Sequence, residues 1–291
     1  MAIGLGFFCS NADSSITTNR KPKLKNLTLE KVLELTHKNA QDFIKLLEIS
    51  KSLNLKIFRL GSDFVPFASH ENFNRHWLKK VEEIILEIKE RVHSFNIRIT
   101  MHPGQFVVLS SPNQSVVDAS LRELEYHFWL LDLLGLGEES IVVIHVGGHY
   151  GDKKEAIKRF IKTMKENRWL IKRLAVENDE RYYSVSDLFE IAKEGISIVF
   201  DHYHHSLNPS EFDPADIIKT WNGKKPEFHL SSRPQRPHRF GEHGDWVLPE
   251  DFVSMTEMFK GYDYDVILEA KKKEVAIIRL LEQIKSIKVG R

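Results

Sequence analysis

The sequence predicts a (β/α)8 barrel, and three observations carry that expectation. Short β-branched runs alternate with long amphipathic stretches eight times along 291 residues, close to the roughly 250 residues typical of such barrels. Most of the runs, IVVIHV and ISIVF among them, are almost wholly apolar, as parallel strands covered on both faces must be. No Pro/Gly/Ser-rich linker, low-complexity tract or internal repeat interrupts the chain, so residues 1–291 read as a single domain. An open doubly wound sheet has the same alternation and is the competing architecture.

The expected strands are, in order, Ile3–Phe8, Leu55–Leu60, Ile97–His102, Ile141–Val146, Arg173–Glu177, Ile196–Asp201, Glu227–Ser231 and Tyr264–Glu269. Gly4 and Gly6 lie inside the first and read as strand geometry, not as a phosphate-binding loop. The expected helices are Leu29–Leu53, Phe73–Phe95, Val116–Leu134, Lys153–Lys165, Val185–Lys193, Asp213–Trp221, Pro249–Phe259 and Lys271–Ile287. In the second of these, Phe73, Trp77, Val81, Ile84, Ile85, Ile88 and Val92 recur every three or four positions. Lys79, Lys80, Glu82 and Glu83 fall on the opposite side, which gives one apolar stripe.

Composition narrows the function. Lysine and arginine total 42 against 41 acidic residues, a formal charge of +1, which excludes a polybasic protein held to nucleic acid by bulk charge. It does not exclude a nucleic-acid enzyme with its cations gathered on one face. The single cysteine, Cys9, cannot form an internal disulfide, and a reducing compartment follows. The start, MAIGLGFFCS, lacks the basic region and apolar length of a signal peptide. No apolar run approaches the roughly 20 residues that cross a bilayer, so a cytoplasmic protein away from membranes is expected.

The fourteen histidines decide the chemistry. His37, His76, His93 and His127 fall on expected helices and read as ordinary core or surface residues. Others fall at strand ends. The third strand ends at His102, the fourth carries His145, and the fifth and sixth end at Glu177 and Asp201. The seventh carries His229 and the eighth ends at Glu269. In a barrel these ends meet on one rim, and mixed imidazole and carboxylate ligands suit Zn2+, Mn2+ or Fe2+ better than Ca2+ or Mg2+. DHYHH, 201–205, adds His204 from what reads as a turn, with His202 and His205 weaker candidates. The loop holding Glu242, His243, Gly244 and Asp245 is placed to cap an outer ion. So many donors exceed what one four-coordinate ion needs, and paired ions serve phosphoryl transfer or carbonyl isomerisation.

Basic loops frame the same rim. Arg20, Lys21, Lys23 and Lys25 follow the first strand. Arg233, Arg236, His238 and Arg239 follow the seventh, with Lys224 and Lys225 just before it. Two such loops favour a polyanion. The HPGQF turn, 102–106, either projects Gln105 and Phe106 outward as a wedge and base-edge reader or packs Phe106 back into the barrel.

Together these segments resemble the UV damage endonuclease family over nearly the whole chain. They are GLGFFCSN (4–11), FRLGSDFVPFASH (58–70), HPGQFVVLSSP (102–112), HVGGHYGDK (145–153), ENDE (177–180), VFDHYHH (199–205), PEFHLSS (226–232) and ILEAKKKE (267–274). The resemblance implies a barrel of the endonuclease IV and xylose isomerase-like superfamily with two or three divalent ions, commonly Mn2+, with Zn2+ or Mg2+ as alternatives. It implies a monomer that nicks damaged double-stranded DNA immediately 5′ of cyclobutane pyrimidine dimers and 6-4 photoproducts, leaving a 3′-hydroxyl and a 5′-phosphate. The ligands it implies are His102, His145, Glu177, Asp201, His204, His229, His243 and Glu269, with Glu177 as the bridge. Glu227 is a further candidate, standing where the family often has a lysine. Glu177, His229, Glu269 and His70, the last from the ASH turn, are the expected catalytic set. Gln105, Phe106, Phe7 and Asn11 are the expected contacts to the lesion, and Arg233, Arg236 and Arg239 to the backbone. No protein nucleophile is required, and Cys9 reads as packing. The rivals are an abasic-site nuclease of the endonuclease IV type, a metal-dependent sugar isomerase, and a barrel that binds damaged DNA without cutting it.

Overall fold

The computed structural model describes residues 2–289; the outermost ends of the expected 1–291 domain lie outside them. The eight strands are β1 (Ile3–Phe8), β2 (Ile57–Leu60), β3 (Arg98–Met101), β4 (Val142–His145), β5 (Leu174–Glu177), β6 (Ser197–Asp201), β7 (Glu227–Leu230) and β8 (Tyr264–Leu268). Each pairs in parallel with the next, and β8 pairs with β1, which closes the barrel. The open-sheet alternative is thereby excluded. All strands but β1 are one or two residues shorter than the apolar runs implied. β2, β5 and β6 lose residues only at their starts, β3 and β4 at both ends, and β7 and β8 at the rim, so His102 and Glu269 sit just beyond the end of β3 and β8.

Helices cover the barrel: α1 (Leu29–Ser52), α2 (Leu78–Ser94), α3 (Gln114–Leu133), α4 (Lys153–Glu166), α5 (Val185–Ala192), α6 (His202–Leu207), α7 (Pro214–Lys219), α8 (Pro249–Met258) and α9 (Lys273–Val289). Helix α2 begins at Leu78 instead of Phe73, because the Asn74 side chain accepts from His76 N and closes a separate 3-10 turn, Arg75–Trp77. The DHYHH segment is not a turn but the start of α6. The Asp201 carboxylate caps that helix by accepting from His204 N at 2.7 Å, satisfying one of the free amides that every helix start exposes. Among the described residues, no helix is long and apolar enough to cross a membrane.

The main core lies between barrel and helices, where Phe58 packs on Phe43 of α1 and Phe200, Phe228, Phe259 and Tyr264 form a second aromatic group. Alternation along β1 sends Phe7 into this layer. Its ring meets Phe58 edge-on at 5.2 Å and it has no exposed surface. Phe7 therefore cannot face a substrate, and the expectation that it does is corrected by one residue of strand phase. Phe8 points to the barrel side. Lys224 and Lys225 also move. They precede β7, at the opposite end from its rim loop, and they pair there with Glu138 and Asp265.

Gly6 shows how tightly β1 meets β2. A Cβ added there would stand 1.9 Å from the Ile57 carbonyl oxygen. Gly6→Ala is therefore expected to destabilise the protein by about 3 kcal/mol through overpacking. Urea unfolding with an unchanged midpoint would contradict this.

Candidate metal centre

Closure of the barrel gathers the strand-end side chains. Glu177, at the end of β5, is buried at the centre. Its Oε2 lies 2.9 Å from His102 Nε2 and 3.6 Å from His145 Nε2. Its Oε1 lies 2.9 Å from His229 Nδ1 and 3.5 Å from His204 Nδ1. Two groups suited to holding an ion result, His102–Glu177–His229 and His145–Glu177–His204, and both use Glu177. Beyond them Glu269 reaches His229 Nδ1 at 3.6 Å and His243 Nδ1 at 3.2 Å. His243 Nε2 in turn lies 3.5 Å from His204 Nε2.

Carbonyl partners orient two of the rings. His102 Nδ1 bonds the Pro103 carbonyl at 2.9 Å and His204 Nδ1 bonds the Asn178 carbonyl at 3.0 Å. With those nitrogens donating, Nε2 of each is free to ligate. Asn178 also clamps the end of β6, its amide accepting from Asp201 N and donating to Asp201 O. Glu227 lies two residues below His229 on β7, with no exposed surface. Thr100 donates to Glu227 Oε1 at 3.2 Å, and His229 Nε2 lies 3.3 Å from the same oxygen. The glutamate supports the far edge of that imidazole.

The donor set fits divalent ions. His145 Nδ1, Glu177 Oε1, Asp201 Oδ2 and His229 Nδ1 are buried without a hydrogen-bond partner. Glu177 Oε1 and His229 Nδ1 are 2.9 Å apart yet lack hydrogen-bond alignment. Buried polar atoms are rarely left so, and such unpartnered atoms among imidazoles and carboxylates suit a shared cation. The acids hold protons on part of the set. Burial alone would lower His204 and His229, but Asp201 and Glu177 hold His204 at about 9, and Glu177 holds His229 at about 10. Burial prevails at His145, which drops to about 4. Burial opposes charge on Glu177 too, yet His229 and His145 keep it well below the usual carboxylate range.

Arg59 of β2 is a functional residue the sequence reading missed. It is buried, donates to Glu269 and lies against the Nε2 edge of His229. A lone arginine inside the apolar run LKIFRL was the available signal, because a buried guanidinium requires an anionic partner.

The rim sorts the remaining candidates. Gln105 and Phe106 project outward, with Phe106 66% exposed and its ring over Gly104, where a Cβ would meet it at 2.7 Å. The alternative of Phe106 packed into the barrel is excluded. Arg233, Arg236 and Arg239 are exposed. Arg20 is engaged by Asp42 and Lys21 by Asp63, so that loop has fewer free cations than its sequence suggested. Glu242 pairs with Lys271, which leaves His243 as the member of its loop that enters the centre. Asn11 is turned into its own loop, accepting from Ile16 N and donating to Ser15. His70 accepts from Asn72 N and packs edge-on against Phe67; no contact joins it to the centre among the described residues. His202 and His205 turn away, toward Ser254 and Phe212.

A closed barrel with such a mouth defines a TIM-barrel protein with a candidate metal centre. At the level of fold it superposes on D-psicose 3-epimerase from Clostridium cellulolyticum H10 with a TM-score of 0.54 at 15% identity, covering 78% of each chain. The chain belongs to the UV-endonuclease UvdE family, whose model matches residues 9–290. The UV DNA damage endonuclease of Clostridium perfringens (strain 13) is 32% identical, covering 97% of this chain and 71% of that one. That of Bacillus velezensis is also 32% identical, covering 88% and 83%. The crystal structure of SacUVDE superposes with a TM-score of 0.87 at 31% identity over 99% of each chain.

Two outcomes test the centre. Glu177→Ala is expected to lose both ions together, whereas His145→Ala loses one, as read by metal content after dialysis. Metal loading near neutral pH should also expel the protons on His204 and His229, since an ion takes only the neutral imidazole. Affinity then rises with pH toward their values of about 9 and about 10. Calorimetric heats independent of the buffer's ionisation enthalpy would contradict this.

Proposed function

We propose that this chain is a DNA repair endonuclease that nicks double-stranded DNA immediately 5′ of UV photoproducts, both cyclobutane pyrimidine dimers and 6-4 photoproducts. The products are a 3′-hydroxyl and a 5′-phosphate. One observation carries the reading: the exposed Gln105–Phe106 pair follows His102 by three and four residues, so the probe and a ligand of the Glu177 centre leave the same strand end. A lesion recognised by that turn is held within reach of the centre.

The residues assigned to hold two or three ions, Mn2+ first among them and Zn2+ or Mg2+ as alternatives, are His102, His145, Glu177, Asp201, His204, His229, His243 and Glu269. Such ions supply an activated water and offset charge on the phosphoryl oxygens. The protein's own part is positional. Glu177 ties the two triads together, Arg59 fixes Glu269, and Glu227 orients His229 in place of ligating. Phe106 wedges the stack while Gln105 addresses base edges, which is easiest where pairing is already weakened by damage. Arg233, Arg236 and Arg239 hold the backbone, and His70 lies along its path. We take the chain to act as a single-domain monomer in the cytoplasm.

The deciding experiment is incubation with Mn2+ and an end-labelled duplex carrying one defined photoproduct, with the break mapped. Matched duplexes with an abasic analogue separate the abasic-nuclease reading. Glu269→Ala and His229→Ala are expected to lower nicking at least a hundredfold with the fold retained by circular dichroism. Near-normal nicking by either would contradict the assignment. Gln105→Ala should keep metal binding but narrow the preference for damaged over undamaged DNA; an unchanged ratio would remove the turn from recognition.

A further inference from the structure

Lys273 differs from several paired lysines of the chain in what its ammonium meets. Two residues earlier Lys271 is bound to Glu242 at 2.6 Å, and elsewhere Lys153 is bound to Asp187 and Lys225 to Asp265. Lys273 makes no ion pair or hydrogen bond through its ammonium among the described residues. Its Nζ sits on the face of the Phe8 ring, 2.8 Å from the centroid, and both residues are half-buried at the mouth. The guanidinium of Arg59 lies 5.8 Å from the same ring.

The backbone is arranged to keep it there. Lys273 has φ 46 and Cys9, next to Phe8, has φ 62, a left-handed conformation that L-residues other than asparagine and aspartate seldom adopt. The two loops are tied together by Glu274, whose carboxylate accepts from Ala12 N at 3.0 Å. An aromatic face holds a cation by its quadrupole without supplying a counter-charge. With no carboxylate bonded to it, the ammonium keeps its donors for an incoming anion, which meets it already in place. Burial lowers Lys273 to about 8 against the pull of Cys9, Glu269 and Glu274, which leaves it mainly charged near neutral pH.

From this geometry we infer that Lys273 on the Phe8 ring forms a phosphodiester-binding subsite, apart from the metal ligands and from the arginine loop after β7. It lies where β1 and β8 adjoin, and it takes one backbone phosphate of the DNA entering the mouth. The choice of ligand rests on the endonuclease reading.

The test is binding of the full-length protein to a photoproduct duplex, by fluorescence anisotropy across a salt series with chelator present. Lys273→Gly is the informative variant, since glycine accepts φ 46 and removes the cation with its stem while relieving the backbone. It should melt no lower than the wild type, bind about tenfold more weakly and lose about one ion from the salt slope. Lys273→Met should weaken binding similarly, and Lys273→Arg should stay within about threefold of wild type. Duplexes with one neutral methylphosphonate, walked along both strands, should include a position that weakens the wild type but not Lys273→Gly. Equal affinities and salt slopes for wild type and Lys273→Gly, or identical methylphosphonate profiles, would overturn the subsite. Failure of the wild type to nick a photoproduct duplex would instead sink the endonuclease reading and leave the phosphate coupling measurable.

Discussion

Four carboxylates, Glu177, Asp201, Glu227 and Glu269, come from consecutive strands and are all withdrawn from water inside the barrel. Offsetting their repulsion is the constraint to which the rest of the mouth answers. Buried acids persist only when paired and hydrogen-bonded. Here Arg59 takes Glu269, Arg98 lies 3.9 Å from Glu227, and protonated imidazoles stand around Glu177. The same imidazoles are the donors a divalent ion recruits. A proton and a metal therefore compete for one set of atoms, and the barrel tolerates either occupant because both bring the positive charge the acids require.

Stability and chemistry are separated along the barrel axis. Toward the floor, Arg98, Lys225 and Asp265 form a closed group of ion pairs. Between strands and helices lies the aromatic and aliphatic core. At the opposite end, pairing is incomplete by construction, with buried donors lacking partners and an exposed ring held over a glycine. The loops of β1, β3, β7 and β8 supply the rim, and β3 to β8 supply the centre. A substrate thus meets side chains set by neighbouring ladders instead of by one long flexible segment.

Much of this was legible in the sequence. Parallel strands buried on both faces are written as apolar runs, and a polar residue closing such a run has only the rim to go to. His102, Glu177, Asp201 and Glu269 were readable for that reason. Phase was harder. Phe7 and Phe8 are chemically alike, and nothing in FF says which faces the helices, yet one step along a strand reverses the side. Lys224 and Lys225 were grouped with the basic loop although they precede the seventh strand, and chain order alone puts them at its other end. Arg59 was passed over although an arginine inside an apolar run is itself a signal. The His-rich segment read as a turn because its histidines obscured that Asp201 is a helix cap.

That cap has a consequence for coordination. One oxygen of Asp201 is committed to the amide of His204, and the other is the atom left without a partner. The unpartnered oxygen is therefore the one the aspartate would offer most readily to a cation. Carbonyl-anchored His102 and His204 likewise offer a single nitrogen each. Each of these donors would thus be aimed in one direction before an ion arrives, a preorientation that ordinary helix capping and carbonyl contacts provide.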